Sequence, residues 1–195
     1  MSAANKITLL RIVLIPLLLA FMVPDSVIDR WIALTIFLLA SATDWLDGYV
    51  ARSRRQVTPL GKLLDPVADK LLVTAALLPL VRKELVSDYM AALLIGREFL
   101  VSGLRSVASA EGVVIPAGRV GKWKMGMSIT AISFLIVTPR NPANTWPTWV
   151  PDGTYFRLGT AFLWATLALS LGSAALYFWE YRHFIHTRKE PPAAT

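Results

Sequence analysis

Cysteine is absent from this chain of 195 residues, which excludes disulfides and thiolate-bound metals at once. Charge is scarce as well. Asp, Glu, Lys and Arg make up 17% of the residues against 55% hydrophobic, and mean hydropathy is +0.53. So apolar a composition excludes an ordinary soluble domain and indicates a polytopic membrane protein. Acids are the scarcer sign, 13 against 20 bases, for a net charge of +7. In a membrane protein the placement of the bases matters more than their sum, so the excess is not read as nucleic-acid binding. No internal repeat of a transporter kind is visible. The apolar run around residues 10–23 lacks a small-x-small cleavage site and is read as a retained first span. His183 and His186 are the only histidines; they lie past the last apolar run and make a poor metal site alone.

What is present is a series of apolar runs near 7–23, 31–51, 63–81, 89–109, 125–139 and 156–179. Each is about long enough to cross a hydrocarbon core of ~30 Å, some with flanking residues. The expected fold is therefore an all-α bundle of six transmembrane helices, a single membrane domain over 1–182, with a polar, disordered tail over 183–195. Pro24-Asp25, Thr58 to Gly61, Arg82 to Glu84, Gly112 to Gly118 and Pro139 to Gly153 supply the breaks. A cytoplasmic N-terminus gathers Lys6, Arg11, Arg52, Arg54, Arg55, Lys62, Arg105, Arg119, Lys122, Lys124, Arg182, Arg188 and Lys189 on one side. Only Arg30, Arg82, Lys83, Arg140 and Arg157 fall on the other. The positive-inside rule then puts both termini in the cytoplasm. Gly126 and Gly159 are placed to permit close helix approach, and Met125 and Met127 read as packing.

Against this background stand Asp44, Asp47, Asp65 and Asp69, at the ends of the second and third runs. Each charge in a span costs about 2.5–3.5 kcal/mol on insertion scales, so four uncompensated ones cost on the order of 10 kcal/mol. Asp44 and Asp47 share one helix face by i,i+3 spacing, and Asp65 and Asp69 another by i,i+4, with Leu63 expected near the start of the third helix. Two helices joined by a short loop bring the pairs together as an oxygen-only site suited to Mg²⁺ or Mn²⁺. Gly48 and Gly61 let a phosphate or nucleotide approach the backbone, and Arg52 offers a planar fork to a diphosphate. Buried carboxylates also mark ion paths, so a divalent-cation transporter is the non-enzymatic alternative. Intramembrane prenyl transfer is the other chemistry that clamps a diphosphate this way.

The pattern Asp44-x2-Asp47-Gly48-x2-Ala51-Arg52-x8-Gly61-x3-Asp65-x3-Asp69 resembles the signature of the CDP-alcohol phosphatidyltransferase family at every fixed position. The resemblance implies a six-helix membrane enzyme, usually a homodimer, with a polar cavity open to the cytoplasm. It implies two metal ions held by Asp44, Asp47, Asp65 and Asp69, with Asp69 also the general base. Gly48, Ala51, Arg52 and Gly61 would line the site of a CDP-linked lipid such as CDP-diacylglycerol.

Three further segments resemble the branch of that family whose acceptor is glycerol 3-phosphate. They are Asn5-x2-Thr8-x2-Arg11-x4-Pro16, Leu64 to Lys70, and Arg97-Glu98 through Arg105 followed by Gly121-Lys122-Trp123-Lys124. An acceptor phosphomonoester carries about −2 charge near neutrality and needs a basic pocket. Arg105, Arg119 and Lys122 are the expected ligands, with Lys124 and Arg97 next and Thr8 and Arg11 reaching in from the first helix; an Arg11 that snorkels to the membrane surface is the equal alternative. Glu98 and Arg105, seven apart, are placed to form a buried pair. Met125 and Ser128 depart from the threonine and glutamine common in the family. The same chemistry with another acceptor, such as inositol phosphate, remains the near alternative.

Overall fold

The computed structural model describes the backbone of residues 3–54, 59–110, 119–140, 151 and 153–188. Side chains are described over 9–43, 70–108, 123–140, 151, 153–176 and 179. Six helices follow the six apolar runs: α1 (Ala3–Met22), α2 (Val27–Arg54), α3 (Pro59–Arg82), α4 (Asp88–Ala110), α5 (Arg119–Val137) and α6 (Thr154–Arg188). No strand occurs among the described residues. The helices contact one another in a closed cycle, α1–α2–α5–α6–α4–α3 and back to α1, with further contact of α3 with α2 and α5.

Local chemistry sets the boundaries. α2 opens on a serine N-cap: the Asp29 amide donates to Ser26 Oγ at 3.2 Å, and the Ser26 hydroxyl donates to Asp29 Oδ2 at 2.5 Å. α3 starts at Pro59, four residues before the expected Leu63, because proline's fixed φ suits the first helical turn. Gly61 therefore lies in a helix. α3 ends in a Schellman turn. The Leu85 amide donates to the Leu80 carbonyl at 3.0 Å and the Glu84 amide to the Val81 carbonyl at 2.8 Å. Glu84 occupies the left-handed position with φ 62°, where glycine is the usual residue. α6 continues past the expected boundary at His183 to Arg188, since no proline or glycine interrupts the chain until Pro191.

Small residues pack the interior. Ala33, Ala40, Ala76, Ala91 and Ala131 lie among Leu18, Phe37, Leu77, Leu80, Ile132, Leu135 and Leu163, all buried. The tightest approach is between α5 and α6. A methyl placed on Gly159 would stand 2.7 Å from Leu135 Cγ and 3.2 Å from the Ala131 carbonyl oxygen. Gly126 has open space around it and mediates no such contact, and Met125 is exposed rather than packed. Hydroxyls inside the bundle mostly donate back to their own helix, as Ser41 to Phe37 O and Thr166 to Phe162 O, both at 2.8 Å.

Outward faces are strongly apolar: Leu9, Leu10, Val13, Leu38, Leu39, Leu78, Leu93, Phe99, Leu100, Trp164 and Leu176 are all exposed. Among the described residues one helical stretch, Thr154–Leu176, is long and apolar enough to cross a membrane by itself. Leu9–Met22 and Trp123–Val137 are shorter apolar segments. At the end of the bundle remote from the aspartates, Asp25 ties three connections together. Its carboxylate accepts from Lys83 Nζ at 3.2 Å and from the Arg140 amide at 3.1 Å, while Lys83 also donates to the Pro24 carbonyl at 3.2 Å.

Candidate active site

The acidic motif is carried by two regular helices. α2 is continuous through Arg54 and α3 from Pro59, so Asp44 and Asp47 stand one turn apart on α2, and Asp65 and Asp69 one turn apart on α3. The two helices touch and are joined by residues 55–58, so the C-terminal part of α2 and the N-terminal part of α3 lie at the same end. The side chains of Asp44, Asp47, Gly48, Ala51, Arg52, Gly61, Asp65 and Asp69 lie outside the described set, as do those of Thr8, Arg119 and Lys122. Among the described side chains there is no cluster of three or more metal-ligating residues.

The basic half of the expected site is resolved in more detail. Arg97 on α4 is 8% exposed, and each of its three nitrogens has a protein partner. Nε donates to the Ser170 carbonyl of α6 at 2.9 Å, Nη2 donates to Ser173 Oγ, and Nη1 donates to Glu98 Oε1 at 2.9 Å. Glu98 Oε1 also accepts from Lys124 Nζ of α5. Glu98 thus pairs with Arg97 and Lys124, not with Arg105 as its spacing suggested. The reason is packing: α4 lies against α6, so the Arg97–Glu98 corner turns into the junction with α5 and α6. Arg105, two turns further along α4, is exposed.

Two contacts relate this network to the acidic motif. Lys70, the residue after Asp69, places its ammonium 5.7 Å from the ring centre of Phe99, the residue after Glu98. That contact brings the stretch of α3 that carries Asp69 beside the stretch of α4 that carries Glu98. Arg11 on α1 is 1% exposed, on a helix that contacts both α2 and α3. It turns into the bundle and does not reach out along the lipid-facing side. Ser170 and Ser173 were not among the expected site residues. Ser173 left a signal, a hydroxyl beside Gly172 in a largely apolar stretch of α6, whereas Ser170 takes part through its backbone carbonyl, which leaves none.

Two touching helices that carry the acidic motif at one end, with a part-buried arginine–glutamate–lysine network on the neighbouring helices, define an all-helical bundle with charged groups set among apolar faces. The sequence model of the family described as CDP-alcohol phosphatidyltransferase matches residues 1–172. The chain belongs to that family. It is 44% identical over 145 residues to the CDP-diacylglycerol–glycerol-3-phosphate 3-phosphatidyltransferase of Bacillus subtilis (strain 168), covering 68% of this chain and 75% of the relative. The protein of the same name from Pseudomonas fluorescens is 42% identical over 175 residues, covering 86% of this chain and 87% of its own length. A chloroplastic/mitochondrial relative from Arabidopsis thaliana, also so named, is 34% identical over 191 residues, covering 91% of this chain and 62% of the relative.

Proposed function

We propose that this protein transfers the phosphatidyl group of CDP-diacylglycerol to sn-glycerol 3-phosphate, giving phosphatidylglycerophosphate and CMP. The observation that carries the reading is the eight-position motif from Asp44 to Asp69 on two touching helices, in a chain whose curated relatives bear that activity in their names. In the reaction the acceptor's free hydroxyl attacks the phosphorus nearer the lipid. A new P–O bond forms, the bond to the CMP oxygen breaks, and CMP leaves with that electron pair. Asp69 takes the hydroxyl proton as general base. Gly48 and Gly61 leave room for the nucleotide diphosphate against the backbone, Ala51 lines the same site, and Arg52 offers it a planar fork. Arg105, Arg119 and Lys122 supply positive charge to the acceptor's phosphate, with Thr8, Arg11 and Lys124 contributing at its edge.

The donor set fits a pair of hard divalent ions, Mg²⁺ or Mn²⁺: four carboxylates at one-turn spacing, with no sulfur or imidazole among them. Asp44, Asp47, Asp65 and Asp69 would hold them. Bound there, such ions supply charge neutralisation to the diphosphate and to the leaving phosphate. The apolar outer faces support six helices that cross the cell membrane with both termini and the motif at the cytoplasmic side, and a polar cavity opening there. The working unit is a homodimer. The test is CMP release by purified protein in detergent with glycerol 3-phosphate, inositol phosphate or serine as acceptor, with and without divalent ions. Activity confined to glycerol 3-phosphate is expected; indifference to it refutes the reading, and preference for inositol phosphate moves the protein to the neighbouring activity.

A further inference from the structure

Neighbours in a helix point about 100° apart and do not face each other, so an ion pair between Arg97 and Glu98 is not a product of helix geometry. Both side chains are drawn to one gap, where α4, α5 and α6 meet. On one side Arg97 is fixed by the Ser170 carbonyl at 2.9 Å and by the Ser173 hydroxyl. The Ser173 hydroxyl donates its own proton to Ser170 O at 3.0 Å, so its lone pairs are available to the guanidinium. On the other side Arg97 holds Glu98 Oε1, and that same oxygen receives the ammonium of Lys124. The chain of contacts runs from the α6 backbone through an arginine and a carboxylate to a lysine that is 13% exposed. It lies beside the stretch of α3 that carries Asp69, where Lys70 meets Phe99.

We propose that Arg97 is a positioning residue for the acceptor. Anchored on α6, it fixes Glu98 and through it the Lys124 ammonium, so that an acceptor phosphate held by Lys124 presents its hydroxyl at the level of Asp69. This rests on the glycerol 3-phosphate reading given above. In this proposal Arg97 acts through Lys124: three of its five N–H groups are engaged with protein atoms and its side chain is 8% exposed. A lysine at this position reaches at most part of the set, because it lacks the guanidinium's three-way fork.

The experiment is steady-state CMP release by the full chain in detergent micelles, varying glycerol 3-phosphate and CDP-diacylglycerol in turn. Arg97→Lys is expected to raise KM for glycerol 3-phosphate about tenfold or more, the scale of a charge-assisted hydrogen bond. KM for CDP-diacylglycerol should stay within about twofold of wild type, because only acceptor binding is touched. Ser173→Ala, which removes one anchor of Arg97 and no charge, should raise the acceptor KM by about threefold. In a Lys124→Met background Arg97→Lys should add no further increase, since its effect passes through Lys124.

A merely structural arginine would lower kcat through lost active protein and leave both KM values alone, and that outcome overturns the inference. So does an equal rise in both KM values, or an undiminished effect in the Lys124→Met background. If Arg97→Lys fails to fold, Ser173→Ala decides alone: an unchanged acceptor KM refutes the proposal. A wild type that releases no CMP with glycerol 3-phosphate sinks the functional reading instead, so the two failures are told apart.

Discussion

Gly159 separates two effects that oppose one another. In an exposed helix, glycine to alanine gains about 1 kcal/mol from helix propensity. At Gly159 the new methyl meets Leu135 Cγ at 2.7 Å, Leu135 Cδ2 at 2.9 Å and the Ala131 carbonyl oxygen at 3.2 Å. Leu135 is fully buried and Ala131 O belongs to the α5 backbone, so neither can swing aside and the helices must separate. Overpacking of this kind costs about 1–3 kcal/mol, and with both obstacles rigid the upper part of that range applies. Gly159→Ala is therefore expected to destabilise by about 1–2 kcal/mol after the propensity gain. Leu135→Ala alone should cost about 2–5 kcal/mol through the space it leaves. In the double variant the methyl introduced on α6 partly fills that space, so the pair should be more stable than additivity predicts by at least about 1 kcal/mol. Reversible unfolding in mixed detergent micelles measures all four corners. A Gly159→Ala protein as stable as wild type or more so, or strict additivity, would refute close approach as the reason for glycine here.

Other consequences are equally direct. Asp69→Asn should retain CDP-diacylglycerol binding yet lower CMP release by at least about 10²-fold, the contribution of a positioned base, whereas Asp44→Asn should lose binding as well. Lipid-nucleotide binding and turnover measured side by side check this, and an active Asp69→Asn removes the base assignment. Asp25→Asn should cost about 1–2 kcal/mol, because it leaves the mostly buried Lys83 ammonium without its carboxylate. The unfolding midpoint reads it, and no change would make the loop tie incidental. Glu84→Gly should gain about 0.5–1 kcal/mol by relieving the left-handed backbone. It gives up only an exposed pairing with Arg140 at 3.9 Å, a kind of contact worth about 0–1 kcal/mol, and a destabilised variant would contradict that weighting. Chelation of divalent ions should lower the unfolding midpoint of wild type and leave an Asp44→Asn/Asp65→Asn protein unaffected, since only a filled site stabilises by linkage.

Much of the helix layout is legible in one dimension because apolar run length and breaker residues are local properties. The differences arise where a residue has two roles. Pro59 reads as a breaker but equally starts a helix, so α3 begins there and takes Gly61 with it. The polar residues from His183 onward read as a tail, yet nothing in them stops a helix before Pro191. For the site, periodicity gives the face of a helix but not the neighbour that meets it. Glu98 and Arg105 share a face by their seven-residue spacing, but Lys124 arrives from α5 and Arg97 bends in beside it. The hydroxyl of Ser173 is an ambiguous signal, because small hydroxyls in an apolar helix ordinarily satisfy themselves on their own backbone, and Ser170 takes part through its carbonyl. Only the packing of α4 against α6 turns them into acceptors for a guanidinium.

The distribution of rigid contacts follows from what the acidic end demands. In the proposed site four carboxylates on two touching helices would repel one another, which would act to spread α2 and α3 at the end where the motif lies. In that proposal bound divalent ions would remove the repulsion, and the chain would have to resist it without them. It would do so at a distance. α1 packs against both α2 and α3, and the Asp25 carboxylate joins the α1–α2 connection to Lys83 at the end of α3 and to Arg140 beyond α5. A brace at the far end limits how widely two helices can open at the near one. On the basic side the constraint is opposite, since Arg97, Glu98 and Lys124 attract, and there the cross-links are local. Contacts at the far end thus act on the proposed like charges by leverage, while the opposite charges of Arg97, Glu98 and Lys124 are pinned to one another directly.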